Sequence, residues 1–414
     1  MPFRAFEGPA GTGKTTRLIA EVRQRAAELQ PHERVLGLTF MHGSRRRLDE
    51  SFAVSAETRG RSHAMTVDSF AAHVVRRWRA LAPPIHDFTQ FDQVCDACGE
   101  LLKRAEVVRW VTATFPVVAI DEAQELKPCR LRIAQALAGS ASLVVAADEF
   151  QCLDEGVDTG PFSEWFETGD IERLNVVRRT GRQGLLNAGV ALRASQQPLQ
   201  GAGLRIRYDF PQQVKFTVGH ALRNGQGTKA ILVAPGATRW ASELVPLLAA
   251  GLQSPNQQVP PLPVAWETAP GDEARSLAEQ VCGPVEQVSS TDVLARLVAA
   301  ARPAWADDAM RSIDMARRAH GRHIWDRTAL HSLFARRANL LRAYARSRRA
   351  GIPVMSIQAA KNRQFRDVVV LWAPGVPGSD DHKRRLLYNA ISRAEQNCTV
   401  IVRTQQLLNA APFS

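Results

Sequence analysis

The chain has 414 residues, 45% of them apolar, with a net charge of +12 and a pI near 10.0. That length suggests two or three domains with real cores, and no run of about 18 apolar residues marks a membrane span. Six cysteines scattered over so long a chain do not look like a disulfide framework, and the basic balance favours an anionic partner, nucleic acid before a membrane surface.

The N-terminal residues Met1 to Gly8 lack the apolar stretch of a signal peptide, so a cytoplasmic protein is expected. Phe3 to Glu7 reads as a strand and Thr15 to Leu29 as a helix, with a glycine-rich loop between them. Val35 to Phe40, Val117 to Ile120 and Leu143 to Ala147 are short apolar runs, each followed by polar or turn residues. Short buried strands alternating with helices indicate a parallel α/β sheet, whose ligand sits at the carboxyl ends of the strands. Cys95 and Cys98 form a Cys-x-x-Cys pair with no second pair or suitable histidines, which reads as two ordinary thiols on a helix. Ala230 to Ala234, Val354 to Ile357, Val368 to Trp372 and Thr399 to Val402 suggest a second α/β domain, split in sequence. Gln253 to Pro263 reads as a Pro- and Gln-rich loop, and 288–350 as helical without a clear strand. Residues 301–350 hold twelve Arg and four Asp with no Lys or Glu, so they carry eight of the chain's twelve net positive charges. Such a stretch is either a solvated helical face or a surface that tracks a phosphate backbone.

Gly8-Pro9-Ala10-Gly11-Thr12-Gly13-Lys14-Thr15 matches the phosphate-loop pattern in full and stands between a strand and a helix. Backbone N–H groups around Gly8, Gly11, Thr12 and Gly13 would wrap the phosphates of ATP at a helix N-terminus. Lys14 would reach the β- and γ-phosphates and Thr15 would ligate Mg²⁺. Asp121-Glu122 directly follows an apolar run, where an Asp can hold the metal shell and the next Glu can deprotonate the attacking water. Gln151 follows the run ending at Ala147, and a Gln there can sense the γ-phosphate or its water. Arg178 and Arg393 are candidates for offsetting charge in the transition state, and an Arg from a second domain would couple hydrolysis to domain closure.

The order of motifs resembles the UvrD/Rep/PcrA-like helicases of superfamily 1. The series runs from the phosphate loop with Thr16 through Leu38-Thr39-Phe40, Thr66-Val67-Asp68-Ser69-Phe70 and Ile120-Asp121-Glu122-Ala123-Gln124. It continues through Ala147-Asp148-Glu149-Phe150-Gln151, Val177-Arg178-Arg179-Thr180, Ser356 to Lys361 and Leu387 to Ala394. The resemblance implies two RecA-like domains with ATP between them: residues 1–172, with a short insertion at about 71–116, and residues 173–287 with 351–414. Residues 288–350 would be a basic helical insertion. It also implies that Thr39, Phe40, Thr66, Ser69 and Ser356 contact single-stranded or partly duplex DNA, and that Lys361 links the ATP cleft to the strand. Gln364 stands where the family has a Glu that meets the nucleotide sugar. The implied activity is ATP-driven translocation on single strands with 3′-to-5′ unwinding, in DNA repair or phage defence.

The sequence also departs from the family pattern. Only seven residues precede Gly8, where the family has a Gln-bearing motif that reads adenine. Cys152 to Gly156 supplies no aromatic for base stacking, and Gln358 and Asn362 replace the usual His and Gly of the penultimate motif. A second reading is therefore an ATPase subunit that gates a partner nuclease without unwinding DNA itself. A small-molecule P-loop kinase would leave Arg393 and the second α/β domain unexplained.

Overall fold

Runs of β-branched and small apolar residues form the middle of two parallel sheets. The computed structural model describes residues 3–414 apart from 41, 86–87, 89, 155–157, 224–225, 268–269, 301, 304 and 345–350. The chain divides into two compact units, Met1–Trp266 with Gly351–Ser414, and Glu267–Ala350.

In the larger unit, the first sheet contains β1 (Arg4–Glu7), β2 (Val35–Thr39), β3 (Ser62–Thr66), β4 (Val117–Ile120), β5 (Ser142–Ala147) and β6 (Asp170–Arg173). They lie in the order β3-β2-β4-β5-β1-β6 and all pair in parallel. The connecting helices are α1 (Lys14–Ala26), α2 (His42–Val54), α3 (Val67–Arg77), α4 (Phe91–Leu101), α5 (Ala105–Thr114), α6 (Pro128–Ala138) and α7 (Gly160–Phe166). Strand alternation sends Val118 and Ile120 into a core with α3, α4 and α6, and Val117 and Ala119 into a core with α1 and α2. Cys95 and Cys98 are buried free thiols on α4, and no metal-binding cluster exists among the described residues.

The chain continues through α8 (Gln183–Arg193), β7 (Leu204–Tyr208), α9 (Pro211–Arg223), β8 (Lys229–Val233) and α10 (Thr238–Ala250). An antiparallel ribbon of β9 (Leu252–Ser254) and β10 (Gln257–Val259) then precedes β11 (Val264–Trp266). The Pro- and Gln-rich stretch expected to be a loop therefore pairs with itself before its prolines end the ribbon.

The smaller unit comprises α11 (Pro270–Cys282), β12 (Gln287–Ser289), α12 (Ser290–Ala299), α13 (Ala306–His320), β13 (Ile324–Asp326) and α14 (Arg327–Tyr344). It begins earlier in the chain than the sequence reading placed it. Ala274, Leu277, Ala278 and Val281 make an apolar stripe at helical spacing on α11, and this stripe packs with Val293, Ile313 and Phe334. The unit also holds a small antiparallel pair, β12 with β13, that its helical pattern concealed. Much of its basic charge is tied locally: Arg302 pairs with Asp307, Arg311 with Asp308, and both Arg317 and Arg318 with Asp314. Arg346, Arg348 and Arg349 of the basic stretch lie outside the described residues.

Back in the larger unit, β14 (Ile352–Ser356), β15 (Phe365–Trp372), α15 (Asp380–Ile391) and β16 (Ala394–Val402) complete the second sheet. Its order is β11-β14-β8-β15-β16-β7, again all parallel. The fold is thus α/β with two RecA-like parallel sheets. Within the two six-stranded sheets, the strands absent from the sequence reading are β3, β6, β7 and β11, which are the edge strands. An edge strand is covered on fewer sides, so half its positions stay polar, as in Asp170-Ile171-Glu172-Arg173 and Leu204-Arg205-Ile206-Arg207-Tyr208. No described helix is long and apolar enough to cross a membrane.

Candidate nucleotide site between the two sheets

The phosphate loop connects β1 to α1 at the carboxyl edge of the first sheet. Gly13 caps α1 at φ 92°, a left-handed conformation that L side chains rarely adopt. A Cβ on Gly8 would lie 2.3 Å from the Leu174 carbonyl oxygen, so only glycine lets the loop pass under the segment after β6. Lys14 is folded back on the loop: its Nζ donates to the carbonyls of Gly8 at 2.7 Å and Pro9 at 3.0 Å, and lies 3.6 Å from Asp148. Thr12 is buried and its hydroxyl closes the loop on the Pro9 carbonyl, whereas Thr16 is exposed.

Thr15 and Asp121 meet as the sequence suggested, with Thr15 Oγ1 donating to Asp121 Oδ2 at 3.0 Å. Burial, and then the charge of Glu122, push the Asp121 carboxyl up to about 6, against the Thr15 hydrogen bond and the charges of Lys14 and Arg47. A hard oxygen pair on a desolvated carboxylate suits a divalent cation such as Mg²⁺, which would relieve that repulsion. Glu122 occupies the left-handed region at φ 61°, uncommon for a residue with a Cβ. Gln124, which sequence reasoning did not single out, fixes it: Nε2 donates to Glu122 Oε2 at 2.6 Å, and Oε1 accepts from the Asp148 amide at 2.9 Å. Its signal was present in Asp121-Glu122-Ala123-Gln124, since the 3₁₀ turn over Ala123–Glu125 brings positions two apart together.

Asp148 is completely buried and joins both halves of the larger unit. It accepts from Gln151 Nε2 at 2.8 Å, Arg193 Nη1 at 2.7 Å and the Tyr388 hydroxyl at 3.3 Å. Tyr388 in turn accepts from the Ala10 amide at 2.7 Å, which places a helix of the second sheet against the phosphate loop. Gln151 and Arg393 come together, with Arg393 Nη2 donating to Gln151 Oε1 at 3.1 Å. Arg393 is 2% exposed and also held by Asn389. Burial, and then the neighbouring charge of Arg179, bring it down to about 10, so it remains a cation at neutral pH.

Arg178 and Arg179 take different places. The Arg178 amide donates to the Gly11 carbonyl at 2.8 Å while its side chain is exposed at the cavity wall. Arg179 reaches inward, donating to the Ser392 carbonyl at 2.7 Å. With the Gln364 amide oriented to satisfy its neighbours, Gln364 accepts from Arg179 at 3.1 Å and donates to Glu395 at 3.2 Å. Adjacent arginines cannot be ranked by sequence, because the turn after β6 decides which one faces inward. Lys14, Thr15, Asp121, Glu122, Gln151, Arg178, Arg179, Gln364 and Arg393 line one cavity of about 620 Å³.

The residues that the resemblance assigned to a strand have structural partners here. Thr39 is 0% exposed, its hydroxyl without a partner among the described residues, and it lines a small hollow with Phe40, Glu122, Gln124, Lys361 and Asn362. Thr66 is the N-cap of α3, accepting from the Ser69 amide at 3.1 Å, with the two hydroxyls 2.7 Å apart. Ser356 is exposed and accepts from the Ala359 amide. Lys361 pairs with Glu125 of the first half at 2.6 Å. Asn362 sits at φ 65°, a region that Asn tolerates better than most side chains.

Residues 351–401 match the UvrD-like helicase C-terminal domain, and residues 3–157 match the AAA domain. No curated protein matches the chain. Among solved structures, the chain is similar to an Arterivirus nonstructural protein 10 helicase with DNA, at 11% identity and a TM-score of 0.39, covering 98% of this chain and 62% of that one. A second Arterivirus nonstructural protein 10 structure gives 10% identity, a TM-score of 0.40, and coverage of 99% and 62%. The PRRSV helicase gives 12% identity, a TM-score of 0.38, and coverage of 99% and 54%. The chain therefore spans less than two thirds of the length of these structures.

Proposed function

We propose, with the UvrD-like superfamily 1 character of the chain as premise, that it is an ATP-dependent motor on single-stranded DNA. The observation that carries this reading is one cavity lined by Lys14, Thr15, Asp121 and Glu122 from the first sheet and by Arg393 from the second. ATP would draw Lys14 off the Gly8 and Pro9 carbonyls onto the β- and γ-phosphates. Mg²⁺, held by Thr15 and Asp121, would supply charge neutralisation to the phosphate oxygens. Glu122, held by Gln124, would accept the proton of the attacking water. Gln151 and Arg393 already touch, so a γ-phosphate that engages both would draw the two halves together. Release of that grip after hydrolysis would reach the strand face through Lys361 and Glu125, which bridge the halves beside Glu122.

The motor reading includes 3′-to-5′ movement, a cytoplasmic setting, and a role in DNA repair or phage defence. ATPase rates with and without single-stranded DNA test it, together with displacement of a labelled strand from 3′- and 5′-tailed duplexes. Absence of stimulation by any nucleic acid would sink it. A second reading, an ATPase subunit gating a nuclease, is favoured by the short insertion between β3 and β4 and by the absence of an aromatic at Cys152, Leu153 and Asp154. It predicts stimulation by a protein partner and no strand displacement by the chain alone.

A further inference from the structure

Among the described residues, six cations line the candidate nucleotide cavity, Lys14, Arg17, Arg47, Arg178, Arg179 and Arg393, against three carboxylates, Asp121, Glu122 and Glu172. Arg17 and Glu172 neutralise one another at 2.7 Å. The remaining excess of positive charge calls for an anion. Apart from Arg17, Arg47 is the cavity arginine that belongs to no motif named above, and it comes from α2 in the first half.

Three consecutive arginines, Arg45 to Arg47, occupy the first turns of α2, and packing selects one of them. Leu48 and Phe52 press on β2 at Gly37, where a Cβ would lie 2.6 Å from Leu48 and 2.7 Å from Phe52. That contact fixes the rotation of α2, so Ser44, Arg47, Leu48 and Ser51, at helical spacing i, i+3, i+4 and i+7, form the cavity wall. Arg46 turns away to pair with Glu50 at 2.8 Å. Among the described residues the Arg47 guanidinium makes no hydrogen bond or ion pair. β2 neighbours β4 in the sheet, so α2 stands beside the carboxyl end of β4, where Asp121 and Glu122 are. The charge of Arg47 is felt by Asp121, Arg179 and Arg393, which are the groups at that end of the cavity.

We propose that Arg47 is a catalytic residue that contacts the γ-phosphoryl group beside the attacking water and stabilises charge on it in the transition state. This rests on the ATP reading above. A guanidinium that lines the cavity with no hydrogen bond or ion pair among the described residues would complement Lys14 from the phosphate loop and Arg393 from the second sheet. It would make this half of the cavity competent for slow hydrolysis before the second half closes on the phosphate.

The test compares Arg47→Ala and Arg47→Lys with the wild-type chain and Lys14→Ala. Steady-state ATPase gives kcat and KM, and a fluorescent ATP analogue gives nucleotide affinity. Arg47→Ala is expected to lower kcat about 10²-fold, with affinity changed less than about threefold. Arg47→Lys should recover part of kcat, and added guanidinium at non-denaturing concentration should partly rescue Arg47→Ala. A kcat within about twofold of wild type, or a rise in KM at unchanged kcat, overturns the proposal. Because Arg47 is exposed, thermal melting of both variants separates misfolding from lost chemistry, and rescue of either one still decides the question. If the wild type hydrolyses ATP only with Lys14 intact and Arg47→Ala is indifferent, the Arg47 proposal alone fails. If the wild type shows no Lys14-dependent turnover, the ATP reading fails.

Discussion

The candidate nucleotide cavity and the segments that the resemblance assigns to strand contact behave differently, although both consist of polar residues that follow short apolar runs. In the cavity, side chains from distant motifs converge: Thr15 meets Asp121, and Gln151 meets Arg393. In the segments assigned to strand contact the residues have local tasks, with Thr66 capping a helix, Ser356 bracing a turn and Thr39 buried in the sheet. A Ser or Thr after a strand is therefore ambiguous, because a helix N-cap selects the same residue types as a phosphate contact does. An acidic pair or an interior Arg is less ambiguous, since burying a charge without a partner is costly.

Four substitutions would break or sharpen this contrast. The largest effect is expected for Arg393→Ala, about 10³-fold or more in kcat, because the buried cation that holds Gln151 and would meet the phosphate is then lost. Single-turnover hydrolysis measures it, and a loss below tenfold would place the charge stabilisation elsewhere. Glu122→Gln should lower kcat by about 10²- to 10⁴-fold while nucleotide affinity is kept, as read by equilibrium binding. Retained turnover there would mean that another group takes the proton from water.

The smaller effects concern the strand side. Thr66→Ala removes the cap of α3 and should cost about 1 kcal/mol, a fall of roughly 1–2 °C in Tm by calorimetry for a unit of this size. DNA affinity lost at unchanged Tm would show that the hydroxyl serves the strand instead. Thr39→Val replaces a buried hydroxyl that has no partner among the described residues by a group of the same shape, so stability should stay within about 0.5 kcal/mol or improve. Loss of DNA-stimulated turnover in a stable Thr39→Val chain would return Thr39 to the contact surface.

The sequence by itself determined the phosphate loop, the acidic pair after β4, and every strand that lies between two neighbours in a sheet. These features are local, or are buried on both faces, so residue type is tightly constrained at each position. Only the tertiary structure decided the rest. The edge strands were hidden because solvent lets their polar residues stand. Glu267–Ala350 became a unit because α11 buries its stripe there rather than on the second sheet. Tyr388 and Arg193 gained their places only when α15 and α8 brought them to Asp148. Which of two or three adjacent arginines enters the cavity was settled by helix rotation and turn geometry, as Arg47 and Arg179 show, because neighbours in sequence point to different sides of the fold.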